Sequence, residues 1–475
     1  MHTVANPASS TALDALRASM AGVLVRPTDA AYDEARRVWN GMIDVLPAAI
    51  AQCASVGDVR QVLRVAHETG LPLAVRGGGH NVAGFGTVED GIVIDLAPLG
   101  AVHVDPATRR VRAGGGATLA DLDAATQAHG LVVPSGVASE TGLAGLTLSG
   151  GLGWVRRKWG LTCDSLVGAE VVTADGDFVR VDDESDPELL FGLRGGGGNF
   201  GVVTEFEFEA YPFGPEVFFV FTLYALDDAH RVLAEHERLV LEGGDDVSTI
   251  AVFGHVPQGV DFPEELHERP FVAVLAVHAG SAGEGERTLA PLRNLAVPLA
   301  DLSDRMQFVD VQKIYDADYP AGHRYYWKSA MLPALPGDAV DILVDSLGRA
   351  PSKHTTVDLW LNGGAIARVA DDATAFSGRS GRYVLAVESN WEDPADDGSN
   401  IAWARELLTA LEGHVSGGAY LNFPGLLEEG HALVRSSLGA NYERLAALKQ
   451  RVDPDNLFRR NANVEPAGTR STTAT

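Results

Sequence analysis

Val75-Arg76-Gly77-Gly78-Gly79-His80-Asn81, followed shortly by the apolar run Ile92-Val93-Ile94-Asp95-Leu96, is the stretch that decides how this chain folds. A strand-like approach, Pro72-Leu73-Ala74-Val75, runs straight into the three glycines. Lacking side chains, the glycines let backbone N–H groups come close to an anionic or planar ligand. Arg76 is expected to add a fixed positive charge on one flank. His80, at the end of the loop, carries a ring that is both base and nucleophile. Together these residues point to a loop that holds a phosphate-bearing cofactor and bonds to it covalently.

With 475 residues the chain can bury more than one core, and two or three lobes are expected. The net charge of −27, from 64 acidic against 37 basic residues, argues against nucleic acid and anionic membranes as partners. A local basic site for a phosphate remains compatible with it. Two distant cysteines, Cys53 and Cys163, make no disulfide framework, and no His/Cys/carboxylate set has metal-ligand spacing. No metal is therefore expected, and a reducing compartment, the cytoplasm, is. Residues 1–20 lack the basic start and apolar core of a secretory signal. No run reaches the ~18 apolar residues of a membrane span. The small, polar tail at 468–475 is expected to fray.

Helical spacing is read over 29–39 and over 58–66, the latter behind a Ser55 cap. Short strands are expected at 48–51, 91–96, 101–104 and 110–113. Gly114-Gly115-Gly116 opens a helix over 118–129. Ala174-Asp175-Gly176 joins 169–172 to 177–181 as a hairpin. Residues 202–210 alternate as a strand. Residues 20–210 thus read as a mixed, glycine-rich lobe. Beyond Pro212, strands at 218–223, 247–252, 272–278, 355–361 and 382–389 mix with helices at 228–241 and 338–347. The second lobe, 211–415, reads as an antiparallel sheet backed by helices, so the class is α+β and two-lobed. Residues 416–467 return to short motifs around Tyr420 and Asn461 and are expected to rejoin the first lobe.

Two more glycine loops accompany the first. Residues 134–154 hold six glycines, Gly136, Gly142, Gly145, Gly150, Gly151 and Gly153, among small residues. Residues 193–204 hold Gly195-Gly196-Gly197-Gly198-Asn199-Phe200-Gly201. Gly196, Gly198 and Gly201 satisfy G-x-G-x-x-G, but a strand pattern follows them, which excludes a Rossmann-type NAD site. With Arg157-Lys158-Trp159-Gly160-Leu161, Asp453-Pro454-Asp455-Asn456-Leu457-Phe458 and Asn461-Ala462-Asn463-Val464, six motifs stand in order across residues 20–467. On these motifs the chain resembles the berberine-bridge-enzyme-like FAD-linked oxidases of the vanillyl-alcohol-oxidase superfamily.

The resemblance implies a PCMH-type FAD-binding domain in the first lobe, completed by the C-terminal segment. His80 falls on the histidine that bonds to the flavin 8α-methyl. The implied cofactor contacts are Arg76, Gly77, Gly78, Gly79, Asn81, Val137, Thr141, Gly142, Gly145, Leu146, Gly150, Gly151, Gly153, Gly201, Val202, Tyr420, Asn422, Asn461 and Asn463. Some members add a second flavin bond from a cysteine. That position here is Ala138, so one covalent link is implied, and Cys53 and Cys163 are expected to be buried, inert thiols. Thr141 falls on the family's oxygen-gate position, where a small residue resembles oxidases.

On the substrate side, Thr356, Asp358 and Trp360 share one strand face, opposite Val357, Leu359 and Leu361. Glu388 lies on another strand, and Tyr325-Tyr326-Trp327-Lys328 form an aromatic cluster. Tyr420 and Asn422 match the family's Tyr-x-Asn motif. Removing a hydride from a substrate O–H or N–H carbon needs a base. Asp358, Glu388, Tyr420 and Tyr326 are the candidates, with pKa values that an apolar cofactor would shift toward neutral. The implied activity is hydride transfer to flavin N5 from an alcohol, amine or activated C–H of a secondary metabolite or sugar, with O2 reduced to H2O2. The alternatives are an oxygenating or ring-closing tailoring enzyme using a flavin–oxygen adduct such as a flavin-N5-oxide, and a flavin-binding protein without turnover. The expected partners are a small-molecule substrate and O2, in a monomer or homodimer.

Overall fold

The computed structural model describes residues 7–259 and 262–468; the expected fraying from 469 onward and the start of the chain at 1–6 lie outside the described residues. Three large sheets organise the described residues, beside a two-stranded pair of Leu131–Val132 with Tyr211–Pro212. A four-stranded sheet has the order Val23–Val25, Ala49–Gln52, Ile92–Asp95, Leu73–Arg76. Its last three strands are parallel and the first is antiparallel. A five-stranded antiparallel sheet has the order Val102–Asp105, Arg110–Gly114, Val202–Glu209, Leu166–Val172, Phe178–Asp182. The third, eight-stranded sheet is antiparallel and runs Pro298–Asp301, Glu216–Ala225, Pro270–His278, Val247–His255, Thr356–Leu361, Tyr383–Trp391, Arg324–Leu332, with Asp304–Gln307 paired to Glu216–Ala225.

Local chemistry explains the first lobe's elements. Ser55 accepts the Asp58 N–H, so Val56–Thr69 begins where the cap predicts and ends at Gly70 in a left-handed conformation. Thr118 and Asp121 form a capping box at the start of Leu119–Gln127. The expected hairpin pairs Leu166–Val172 with Phe178–Asp182. A strand, Val202–Glu209, follows the third glycine loop, with burial that alternates as the sequence does. An unread helix, Pro7–Ser19, buries Leu13 and Leu16 with Val59, Val62 and Leu63 of Val56–Thr69.

Two readings need correction. The helix expected over 29–39 shrinks to Tyr32–Ala35. Beyond it the chain peels away because its polar groups bond elsewhere: the Trp39 N–H donates to the Gly79 carbonyl, and Asn40 Nδ2 to the carbonyls of Val82 and Tyr325. The aromatic cluster at 325–328 belongs to an unread strand, Arg324–Leu332, paired with Tyr383–Trp391.

The eight-stranded sheet is covered on both faces. Helices Ala229–Glu242, Gly337–Leu347 and Asp397–Ala410 pack on one face, over Val357, Leu359, Leu361, Tyr326, Leu385 and Val387. Alternation sends Tyr325, Trp327, Trp360, Val384 and Ala386 to the other face, toward the first lobe. Among the described residues no helix is long and apolar enough to cross a membrane, and no group of three His, Cys, Asp or Glu could hold a metal ion.

The segment 308–319 is tied to the first lobe by side chains. Gln312 Nε2 donates to buried Asp123 at 2.8 Å and to Ser135 Oγ at 3.1 Å. Asp316 accepts the Ser139 N–H at 2.9 Å and its hydroxyl at 2.6 Å. Burial raises the Asp123 carboxyl to about 7, with Gln312 alone pulling the other way. The unfolded carboxyl titrates near 3.8. Between those values the folded chain binds the extra proton, so this group lowers stability as pH rises. Asp123→Asn keeps an acceptor for Gln312 and removes the titration. It should stabilise the protein more at pH 8 than at pH 5, by about 3 kcal/mol. Thermal unfolding at both pH values tests this, and an equal shift at the two would refute it.

Candidate active site

Between the lobes lies a cavity of about 1830 Å³, its solvent mouth included. One wall is backbone from the three glycine loops: Gly77, Gly78 and Gly79, then Gly142 and Gly145, then Gly197, Gly198 and Gly201. The first two loops cross main chain to main chain. A Cβ on Gly142 would sit 2.3 Å from the Gly78 nitrogen, and one on Gly78 would sit 2.6 Å from the Gly142 Cα. Gly79 adopts φ +69°, turning the chain so that His80 faces the cavity.

His80 is held by a column of rings. Trp39 stacks on it at 4.1 Å and 18°, and Tyr325 stacks on Trp39 at 3.7 Å and 10°. The Trp39 indole N–H donates to the Tyr319 carbonyl at 2.9 Å, which ties the column to the second lobe. His80 is half-buried because one side opens to the cavity, while protein packs closely around the rest. Desolvation lowers its pKa to about 4, so the imidazole is neutral at physiological pH.

Arg76 lines the cavity, but its charge is spent elsewhere. Its guanidinium pairs with buried Asp95 at 2.8 Å and donates to the carbonyls of Ala35 and Arg37. The positive charge expected on this flank is fixed, but it is paired with Asp95, so Arg76 braces the loop. Arg460, over the Phe85 ring with Nε donating to the Thr87 carbonyl, is a cation on that wall which the sequence reading missed.

The C-terminal segment closes the floor. Asn461 Nδ2 donates to the Gly198 carbonyl at 3.0 Å, and its Oδ1 has no hydrogen-bond partner among the described residues. Asn199 donates to the Ala462 carbonyl and accepts the Val464 N–H. Tyr420 and Asn422 line the cavity. The Tyr420 oxygen accepts the Gly151 N–H at 3.1 Å and Asn422 Nδ2 at 2.8 Å. Burial nevertheless pushes its phenol up to about 12.

The opposite wall comes from the eight-stranded sheet and the 308–319 segment: Asp358, Trp360, Glu388, Trp327, Tyr315 and Tyr319. Asp358 and Glu388 are 2% and 4% exposed, and sit diagonally across neighbouring strands, Thr356 being opposite Glu388 and Ala386 opposite Asp358. Burial and the neighbouring Glu388 raise Asp358 well above the carboxylate range, and burial raises Glu388 to about 7. The pair thus holds a proton near neutrality.

Val137, Ala138, Thr141, Leu146 and Asn81 also line the cavity. Six named positions do not line it. Tyr326 lies on the helix-side face of its strand, bonding to Glu428 and Arg405, so it cannot reach a ligand in this cavity. Gly150 packs on Phe376, Gly151 on Thr162, and Gly153 on the Ser135 carbonyl; these glycines serve chain packing behind the wall. Val202 points into the core with Ile92 and Ile94. Asn463 faces a separate shallow pocket beside His431 and Arg459. The sequence reading missed Trp39, Tyr315 and Tyr319; the four-residue spacing of the last two was the available signal.

Family models match both ends of this architecture. One described as FAD binding domain covers residues 47–182, and one described as Berberine and berberine like covers 419–465. (R)-6-hydroxynicotine oxidase of Paenarthrobacter nicotinovorans is 31% identical over 462 residues, 95% of this chain and 98% of the relative. The chain belongs to the berberine-bridge-enzyme-like FAD-linked oxidoreductases. An FAD-linked oxidoreductase of Dictyostelium discoideum is 30% identical over 94% of this chain and 95% of its own length. The crystal structure of 6-hydroxy-D-nicotine oxidase from Arthrobacter nicotinovorans superposes with a TM-score of 0.83 at 28% identity, covering 94% of this chain and 98% of that one. A xylooligosaccharide oxidase from Myceliophthora thermophila shares the fold, with a TM-score of 0.82 at 21% identity over 97% and 99% of the two chains.

The enzyme is an FAD-dependent oxidoreductase, and its residues fit that cofactor. The glycine wall admits a flat ring, Arg460 supplies positive charge, and the orphaned Asn461 Oδ1 offers an acceptor. The backbone crossing generates a prediction. Gly142→Ala forces a methyl into the Gly78 main chain, and overpacking of this kind costs about 1–3 kcal/mol. Purified Gly142→Ala should carry well under half the wild-type flavin per protein, read from absorbance. Full flavin content would show that the crossing is dispensable.

Proposed function

We propose that the enzyme is an oxidase that removes a hydride from a small organic substrate, an alcohol, amine or activated C–H compound, with O2 as final electron acceptor. The observation that carries this reading is a buried acid pair, Asp358 and Glu388, in the same cavity as the His80 loop. The glycine wall, Arg460 and Asn461 would hold FAD there, and the cofactor would supply a two-electron acceptor that O2 can reoxidise to give H2O2.

The acid pair takes the substrate's O–H or N–H proton as the hydride leaves. Tyr420, whose oxygen receives two N–H donors, orients the substrate from the opposite side. Thr141, about the size of valine, lines the cavity and leaves O2 a path. His80 is the single covalent tether, through an 8α-histidyl bond. Its neutral imidazole supports this role, and the Trp39 stack holds the ring in place. Ala138 supports a single link, since it faces the cavity without a thiol. Cys163 is buried in the core, where desolvation holds its thiol protonated.

Two experiments test the reading. Acid-precipitated wild type should stay yellow, whereas His80→Ala should release its flavin into the supernatant; release from the wild type would remove the tether. With an oxidisable substrate, kcat/KM should rise with pH through a limb near 7, where Glu388 titrates. Glu388→Gln should lose that limb and about 10²–10⁴ of the rate. An unchanged limb in this variant would assign the base elsewhere.

A further inference from the structure

Among the described residues, no positive charge comes close enough to act on the acid pair. Asp358 Oδ1 has no hydrogen-bond partner, and no cation contributes to the electrostatics of either carboxyl among the described residues. Arg156, stacked under Trp360 at 5.2 Å, donates instead to the carbonyls of Gly153, Thr249 and Leu361. Thr356 and Tyr319 hydroxyls bond to the two carboxyls but bring no charge; a buried charge without a counter-ion is costly, so a pair of this kind would be a defect in a purely structural wall.

The rest of the wall is aromatic. Trp360, Trp327, Tyr315 and Tyr319 line the same space, with Tyr319 edge-on to Trp327 at 5.3 Å. Trp360 Nε1 and the Tyr315 hydroxyl also lack partners. Two carboxyls that share a proton carry one negative charge, which a single cation neutralises. Aromatic faces attract a cation whose surface is C–H rather than water. A neutral polyol could bond to the carboxyls but would leave the charge uncompensated.

We propose that this cavity selects substrates carrying one protonated or quaternary amine, seated between the Asp358–Glu388 carboxyls and the Trp327, Trp360, Tyr315 and Tyr319 wall. The inference rests on the cavity being the substrate chamber proposed above, and narrows its substrate to an organic amine.

The test is calorimetric titration of the holoenzyme at pH 7.5 with ligands that cannot be oxidised at the charged centre. Benzyltrimethylammonium is a permanent cation, 2-methyl-1-phenylpropan-2-ol is a neutral molecule of similar shape, and cellobiose is a polyol. The cation should bind at least tenfold more tightly than either neutral ligand. Asp358→Asn and Glu388→Gln, each nearly isosteric, should weaken the cation at least tenfold and the neutral alcohol less than twofold. Equal affinity for cation and alcohol in the wild type, or tighter binding of cellobiose, overturns the proposal without any variant. An unaltered cation affinity in both variants also overturns it. Flavin absorbance separates this outcome from the oxidase reading. Yellow protein indifferent to charge keeps the oxidoreductase and loses the amine. Protein that prefers the cation but fails the pH–rate test keeps the amine and loses the assigned base.

Discussion

Two backbone segments pass so closely at Gly78 and Gly142 that neither can carry a Cβ. Much of the site follows from that crossing. It brings the His80 loop, which leaves the parallel strand Leu73–Arg76, against the loop that carries Thr141 and Gly145. It lays main chain along the cavity wall, where bulky side chains would fill the space a flat cofactor needs. The arrangement is rigid on both flanks. Arg76 locks the first loop to Asp95, and Leu119 and Leu143 N–H groups bond to the Thr141 and Ala117 carbonyls behind the second. Trp39 then couples the first loop to the second lobe, stacking between His80 and Tyr325.

The buried ionisable groups divide by what surrounds them. Lys449 and Asp453 are fully buried, but they pair at 2.6 Å, and Lys449 also donates to the carbonyls of Asn199 and Phe458. That cluster anchors the C-terminal segment under the third glycine loop, and its charges are satisfied. Arg379 and Asp164 form another such pair at 2.6 Å. Asp358 and Glu388 are also buried, without a compensating cation among the described residues. Since burying an unpaired carboxylate costs several kcal/mol, the pair keeps a proton instead. The contrast separates ionic groups that hold the fold from those poised to meet a ligand.

Much of the fold was legible because its signals are local. Ser55 and Thr118 cap helices through their own side chains, and the Ala174-Asp175-Gly176 turn closes a hairpin by itself. Alternation along Thr356–Leu361 placed Asp358 and Trp360 on one face before any partner strand was known. The failures have the same origin in reverse. Without recognising Arg324–Leu332 as a strand, nothing assigned parity, so Tyr326 was grouped with Trp327 although adjacent residues in a strand face opposite ways. Arg76 looked available because Asp95, nineteen residues on, becomes its neighbour only when the two parallel strands pair. Gly150, Gly151 and Gly153 do not line the cavity while Gly142 and Gly145 do, a difference hidden in sequence because a glycine needed for chain packing and one needed for a ligand read alike.

The sequence alone determined the three glycine loops, the single histidine they deliver, the absence of a cysteine at 138 and the two-lobed α+β plan. These depend on residue type and short spacing, which local sterics and hydrogen bonding translate directly into structure. Tertiary structure alone decided that Trp39 stacks on His80, that Arg76 is neutralised, and that Asp358 and Glu388 meet in one cavity with Tyr315 and Tyr319. Those facts arise from segments tens to hundreds of residues apart. Burial, which sets the protonation of His80 and of the acid pair, comes into being only when the lobes close around the same space.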